Sequence, residues 1–314
     1  MAFKKTAAKY PGKIEEITIG TGDKAVKLGG EKDLPFLTET GNRPAVGVEI
    51  TDTKPEDWEP LFEQIYGEEL LNDAPRWAKF VQDNTPADFI YLSLASADPN
   101  GADRSVEECV ATAKAVEEAV DIPLVIGGSK NAEKDAQLLQ AVANALIDKN
   151  VVLFSAVEDN YKTIGIAGNA AGHKISGESA VDINLAKQLN ILLSQQGIKP
   201  EAIVMDIGSA AVGYGFEYVA STMDRIRLAA LGQNDTDLQM PIITNVANDA
   251  WSVKEAVFPE AEMPVWGDQE TRGIDMEVAT AAACLAGGSN AVIVRHPKSA
   301  ETAAELISAL TAEA

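Results

Sequence analysis

The sequence predicts a (β/α)8 barrel of the TIM class, preceded by an N-terminal β-hairpin extension. Eight short runs rich in Val, Ile and Leu recur along the chain, most separated by one amphipathic helix. Such near-continuous apolar strands, joined by helical crossovers, are buried on both faces of a parallel sheet. Most of the runs break at their C-terminal ends into Gly, Ser, Asp or Asn, the end at which such barrels carry their chemistry. The chain has 314 residues and is 46% hydrophobic; a barrel takes about 250 residues, which leaves an extension.

Residues 1–44 form that extension. Ile14-Glu15-Glu16-Ile17-Thr18-Ile19 and Ala25-Val26-Lys27-Leu28, split by Gly20-Thr21-Gly22-Asp23, read as a β-hairpin that plugs the barrel from below. The barrel fills residues 45–314. Its strands are Ala45–Ile50, Phe89–Leu94, Pro123–Ile126, Val151–Phe154, a weaker Lys174–Ser176, Ala202–Met205, Pro241–Thr244 and Ala291–Val294. A rival run, Thr163–Ala167, starts too soon after Phe154 to leave room for a crossover. Asp159–Ala171 is therefore the fourth helix, with Asn160 near its N-cap and Gly172 as its C-cap, and His173 opens the fifth strand. Core stripes are expected from Trp58, Leu61, Phe62 and Ile65; from Leu138, Leu139, Val142, Ala145 and Leu146; from Leu185, Leu189 and Leu192; and from Ala303, Leu306, Ile307 and Leu310.

The composition removes several functions. A net charge of −22 argues against an electrostatic grip on nucleic acid or anionic lipid. No stretch reaches the ~20 apolar residues of a membrane helix and no signal-peptide core is present, so a cytoplasmic protein is expected. Cys109 lies on the inner face of Val106, Cys109, Val110, Ala113, Val116 and Val120, a core position. Two cysteines, Cys109 and Cys284, cannot hold an iron–sulfur cluster, which needs about four ligands. Phosphate-loop and dinucleotide motifs are absent: Gly208-Ser209-Ala210-Ala211-Val212-Gly213-Tyr214-Gly215 is glycine-rich but wrongly spaced. Neither a nucleophile elbow nor a His-x-His metal set is present, so no catalytic or metal-ligating residue is assigned.

The strand ends collect the candidates for a ligand site: Gly127, Gly128 and Ser129 after the third strand, Ser155 and Asn160 after the fourth, Gly177 after the fifth, Asp206 and Gly208 after the sixth, Asn245 after the seventh and His296 after the eighth. Thr51, Asp52, Ser93, Ser96, Asp98, Asn100, Glu178, Ser179, Asn248, Asp249 and Arg295 also fall there; Asn131 and Ser179 suit capping equally. Asp206 and Asn245 follow their apolar runs directly. They either point into the mouth, where a carboxylate beside an amide suits a heterocycle such as a pterin, or cap their own loops.

Beyond the periodicity, Leu28-Gly29-Gly30-Glu31-Lys32-Asp33-Leu34-Pro35-Phe36 followed by Asn42-Arg43-Pro44-Ala45-Val46-Gly47-Val48-Glu49-Ile50 resembles the small subunit of the corrinoid iron–sulfur protein, the family of the archaeal acetyl-CoA decarbonylase/synthase delta subunit. Ile126-Gly127-Gly128-Ser129 with Lys134-Asp135, Asp159-Asn160-Tyr161, Asp182-Ile183-Asn184-Leu185-Ala186-Lys187-Gln188-Leu189-Asn190 and Asp206-Ile207-Gly208 extend the resemblance over essentially the whole chain. It implies a barrel paired with a large subunit that carries the iron–sulfur cluster and a corrinoid domain, the corrinoid lying against the barrel mouth. Methyltetrahydrofolate, or a related archaeal pterin, would be the methyl donor through a separate methyltransferase, with acetyl-CoA synthase as the recipient.

The family barrel is also similar to pterin-dependent methyltransferases, which place an Asp and an Asn where Asp206 and Asn245 stand. They present an Asn where this chain has Gly127-Gly128. The corrinoid signature Asp-x-His-x-x-Gly is absent, since His173 follows Ala171-Gly172 and His296 follows Val294-Arg295. Two readings result: a non-catalytic subunit whose mouth caps a corrinoid, or an autonomous pterin-dependent methyltransferase. The acidic, bulky connection from Asn248 to Thr271 argues against a phosphate-processing barrel. Within it, Trp251 or Trp266 is expected to anchor a contact with the large subunit or the corrinoid edge, unless the segment packs on the barrel's own helices.

Overall fold

The computed structural model describes residues 8–37, 40–54 and 60–311. Two short antiparallel strands, β1 (Ile17–Ile19) and β2 (Val26–Leu28), come first. Eight parallel strands follow: β3 (Ala45–Thr51), β4 (Phe89–Ser93), β5 (Leu124–Gly127), β6 (Val152–Ala156), β7 (Lys174–Glu178), β8 (Ile203–Asp206), β9 (Ile243–Asn245) and β10 (Ala291–Val294). Each pairs with its sequence neighbour from β3 to β8, and β10 pairs with both β9 and β3. A Met205–Ile242 bridge joins β8 to the β9 side and closes the barrel. All eight expected barrel strands are present.

The helices are α1 (Pro60–Tyr66), α2 (Glu68–Leu71), α3 (Ala74–Asn84), α4 (Val106–Ala119), α5 (Ala132–Ala145), α6 (Tyr161–Ala170), α7 (Ile183–Gln195), α8 (Phe216–Arg227), α9 (Ala247–Ala250), α10 (Lys254–Val257), α11 (Gln269–Gly287) and α12 (Pro297–Thr311). The Thr163–Ala167 run lies within α6, which follows Asn160 and stops before Gly172 in the left-handed region. Two stripes differ from expectation. On α7 the buried face is Ala186, Leu189, Asn190 and Leu193, with Leu185 and Leu192 flanking it. On α12 the buried face is Ser299, Ala300, Ala303 and Ile307, and Leu310 is exposed. Trp58 lies outside the described residues.

Alternation along the strands divides the barrel interior into two levels. The lower level is apolar: Ala45, Phe89, Val125, Val152, Phe154, Val204, Ile243, Ala291 and Ile293 pack with Ile17, Ile19 and Leu28, so the hairpin seals the floor. Asn150 fixes the plug by donating to the carbonyls of Thr18 and Gly20, at 2.9 and 2.8 Å. Gly29 carries a φ of 79° that favours glycine. Nearby, Glu31 accepts from Asn290 Nδ2 at 2.7 Å, which ties the Gly-Gly-Glu segment to the start of β10. With the lower end closed, ligand access is confined to the C-terminal ends of the strands.

Candidate functional site

The upper level of the interior is polar. The inward positions one step above the apolar layer are Glu49 on β3, Tyr91 on β4, Glu178 on β7, Asp206 on β8, Asn245 on β9 and Arg295 just after β10. Ser155 joins them because the β6–β7 register shifts between Leu153 and Ala156, so both Phe154 and Ser155 contact the interior. Strict alternation would have turned one of them outward.

Ser155 Oγ lies 2.9 Å from Asp206 Oδ2 and 3.0 Å from Glu178 Oε2. The Lys130 ammonium donates to the same Glu178 oxygen at 3.2 Å. Asp206 Oδ1 accepts from Gly208 N at 3.0 Å. Burial, aided by the nearby Glu178 charge and opposed by Lys130, pushes the Asp206 carboxyl up to about 6. The carboxylates of Asp206 and Glu178 hold Lys130 above its usual range although burial acts the other way. Burial pushes the Tyr91 phenol up, opposed by the Lys130 charge. Beside this group, Arg295 Nε donates to Glu49 Oε2 at 2.7 Å in a pair almost closed to solvent.

The Gly127-Gly128-Ser129 segment positions other groups. A Cβ on Gly127 would lie 2.2 Å from Tyr91 Oη, and one on Gly128 would lie 2.4 Å from the Asp135 carboxyl. Asp135 accepts from Ser129 N and Oγ, both at 2.7 Å, and from Lys130 N at 2.9 Å. Burial pushes its carboxyl up in spite of these bonds. The two glycines therefore admit a ring and a carboxylate, and the clamp holds Lys130, itself at a φ of 69°, over the mouth.

Asp206 and Asn245 each cap the turn that follows their strand. One oxygen of Asp206 caps the Gly208 turn while the other faces the cluster. Asn245 Oδ1 accepts from Ala247 N at 3.1 Å. Other candidates are committed elsewhere. Asn160 accepts from Val157 N and donates to the Ala132 carbonyl, and Gly177 faces outward against Leu189. His296 is buried, stacked on Trp251, with Nδ1 accepting from Lys298 N; Nε2 then carries the proton and donates to Glu270. Burial lowers the pKa of both His296 and the floor residue His173.

Lys130, Tyr91 and the Glu49–Arg295 pair are the site residues that sequence reasoning missed or left outside its ligand-facing set. Alternation from the apolar outward positions Val46, Val48, Ile90 and Leu92 marks Glu49 and Tyr91 as inward. Lys130 carries no such signal, because a clamp in a loop places it.

Two loops rise beside the cluster. The loop after β8 exposes Val212 and Tyr214, and Tyr218 stands exposed on α8. The connection after β9 exposes Phe258 and Val265, with Phe258 stacked on Trp266. Tyr214 Oη bonds Glu255 across the two. A cleft of about 500 Å³ between them is lined by Ala210, Ala211, Tyr214, Asp249, Ser252, Val253 and Lys254. Arg272 holds the connection by donating to the carbonyls of Glu255, Phe258 and Gly267. Trp251 is a core residue, fitted against Gly273 and Phe62.

A family model described as CO dehydrogenase/acetyl-CoA synthase delta subunit matches residues 16–278. The acetyl-CoA decarbonylase/synthase complex subunit delta of Archaeoglobus fulgidus is 32% identical over 323 aligned residues, covering 98% of this chain and 71% of the relative. That of Methanothermobacter thermautotrophicus is 33% identical over 315, covering 99% and 79%. Among solved structures, dihydropteroate synthases from Xanthomonas albilineans, with 4-aminobenzoic acid, and Coxiella burnetii, with pteroic acid, both superpose with a TM-score of 0.58. They are 12% and 10% identical, covering 93% and 95% of this chain and 96% and 100% of theirs, a likeness of fold.

Proposed function

The chain belongs to the CO dehydrogenase/acetyl-CoA synthase delta-subunit family, and from that premise we propose that its barrel mouth caps a corrinoid held with a larger iron–sulfur subunit. The cobalt of that corrinoid would carry a methyl group between a methyltetrahydrofolate-type pterin, served by a separate methyltransferase, and acetyl-CoA synthase. The observation that carries this reading is the rim: Val212, Tyr214, Tyr218, Phe258 and Val265 stand exposed on two adjoining segments beside a polar floor. An apolar rim of this kind marks an interaction face.

The residues present fit the edge and face of such a group rather than its metal. His296 has both nitrogens engaged, and His173 lies at the opposite end of the barrel, donating from Nε2 to the Ala143 carbonyl. Cys109 and Cys284 are buried. This chain would accordingly supply acceptors at Asp206 and Glu178, a donor at Lys130, and an apolar surround that limits water.

Reconstitution tests the reading. Adding the chain to a corrinoid-loaded large subunit should give a one-to-one complex with altered corrinoid absorption bands. Failure to associate, or association with an unchanged spectrum, refutes the cap.

A second reading, a pterin-dependent methyltransferase acting alone, is favoured by the joint placement of Asp206 and Asn245 at the mouth. Quenching of tryptophan fluorescence by methyltetrahydrofolate in the isolated chain would support it.

A further inference from the structure

Three oxygens meet at the floor of the mouth. Ser155 Oγ lies within hydrogen-bond distance of both Asp206 Oδ2 and Glu178 Oε2, at 2.9 and 3.0 Å. A hydroxyl donates one proton, so Ser155 satisfies one carboxylate, and the other contact requires a proton on the carboxyl itself. Lys130 already donates to Glu178. The set closes in one direction: a protonated Asp206 donates to Ser155, Ser155 donates to Glu178, and Lys130 donates to Glu178 from the solvent side. The elevated Asp206 carboxyl, at about 6, agrees with this order.

A second feature lies one layer below. Ser176 pairs in register with Val204, whose side chain is part of the barrel interior, just as Glu178 pairs with Asp206. Its hydroxyl is fully buried at this inward position and meets no hydrogen-bond partner among the described residues. It is an unpaired polar group beneath the three oxygens.

We propose that the Asp206–Ser155–Glu178 set stores one exchangeable proton, and that the ligand edge seated on it is a neutral one bearing N–H donors. Such an edge replaces the proton on Asp206, which passes to solvent. The proposal rests on the mouth being ligand-facing, as read above. The surrounding charges agree with a neutral edge. Lys130 favours the Asp206 anion and Glu178 opposes it, Tyr91 and Asn245 flank it as neutral groups, and Asp249 adds a further carboxylate near Lys130. A phosphate or carboxylate edge would meet two carboxylates at close range and be repelled. The carboxamide rim of a corrinoid and the aminopyrimidinone edge of a pterin both offer the required donors.

The test has two stages. Infrared titration of the full chain from about pH 4 to about pH 8 should show a protonated-carboxyl band that disappears with a midpoint near 6 and is missing in Asp206→Asn. Dicyanocobinamide and methyltetrahydrofolate are then each titrated calorimetrically, below the midpoint, in two buffers of different ionisation heat. The probe that binds should release up to one proton, with affinity rising about tenfold per pH unit below the midpoint, and should release none from Asp206→Asn. Cobinamide binding with release supports both the proton store and the corrinoid cap. Release with methyltetrahydrofolate alone supports the store and counts against the cap. Cobinamide binding without release keeps the cap and overturns the store. An absent carboxyl band, or binding of neither probe, also overturns the inference.

Discussion

Asp206→Asn should make the protein more stable at neutral pH. The carboxyl is buried and its pKa rises from 3.8 to about 6 on folding. A carboxyl raised in this way favours folding most strongly below its unfolded value. That contribution is lost as pH rises from about 4 through about 6, and above 6 the fold holds the anion at a cost. At about 1.4 kcal/mol per pH unit the cost is on the order of 3 kcal/mol at neutral pH. Asparagine reproduces the protonated carboxyl: its oxygen can accept from Gly208 N while its amide donates to Ser155 Oγ, leaving the Ser155 proton for Glu178. The loss of attraction to Lys130 offsets part of the gain. Unfolding followed by circular dichroism from about pH 4 to about pH 8 should place the variant above the parent by about 6 °C near neutrality, with the two converging below pH 4. A variant less stable than the parent near neutrality, or one with the same pH dependence between 4 and 6, would refute the argument that Asp206 is held against its preferred charge.

The other predictions concern the groups that build the mouth. Asp135→Ala strands the Ser129 and Lys130 N–H groups that its carboxylate accepts, and should cost about 3 kcal/mol in denaturant unfolding; it should also free Lys130 and raise the Asp206 midpoint, whereas unchanged stability would show the clamp to be dispensable. Gly127→Ala sets a methyl 2.2 Å from Tyr91 Oη and should destabilise by about 2 kcal/mol as the ring is displaced, visible as a changed near-ultraviolet dichroism of tyrosine. Trp266→Ala should weaken association with the large subunit by on the order of 2 kcal/mol, while Trp251→Ala, which empties a core position, should lower thermal stability first. Equal dissociation constants for parent and Trp266→Ala in titration calorimetry would return the connection after β9 to a structural role.

Whatever depends on neighbours in sequence was legible before the fold was known. Apolar runs such as Leu124–Ile126 and Ala291–Val294, set apart by helical stripes, carry the periodicities of a parallel barrel, since burial on both faces leaves no polar alternation to hide them. The length of a crossover placed Thr163–Ala167 in a helix. Asp206 and Asn245 could be located at the mouth because each directly follows its strand. What the sequence left open is set by groups brought together from distant strands. Whether Asp206 faced the mouth or capped a turn depended on which partners its two oxygens met, and one meets Gly208 two residues away while the other meets Ser155 two strands away. Gly127 and Gly128 stand among the strand-end candidates for a ligand site, but the space beside them belongs to Tyr91 and Asp135. Lys130 reaches the site through a backbone clamp with no periodicity to announce it. Ser155 faces inward only through a slip in register between β6 and β7. Local pattern fixes where each strand runs and ends; the proton balance of the mouth arises from a hydroxyl and two carboxylates spaced 2.9 and 3.0 Å apart on separate strands, a spacing that only closure of the barrel determines.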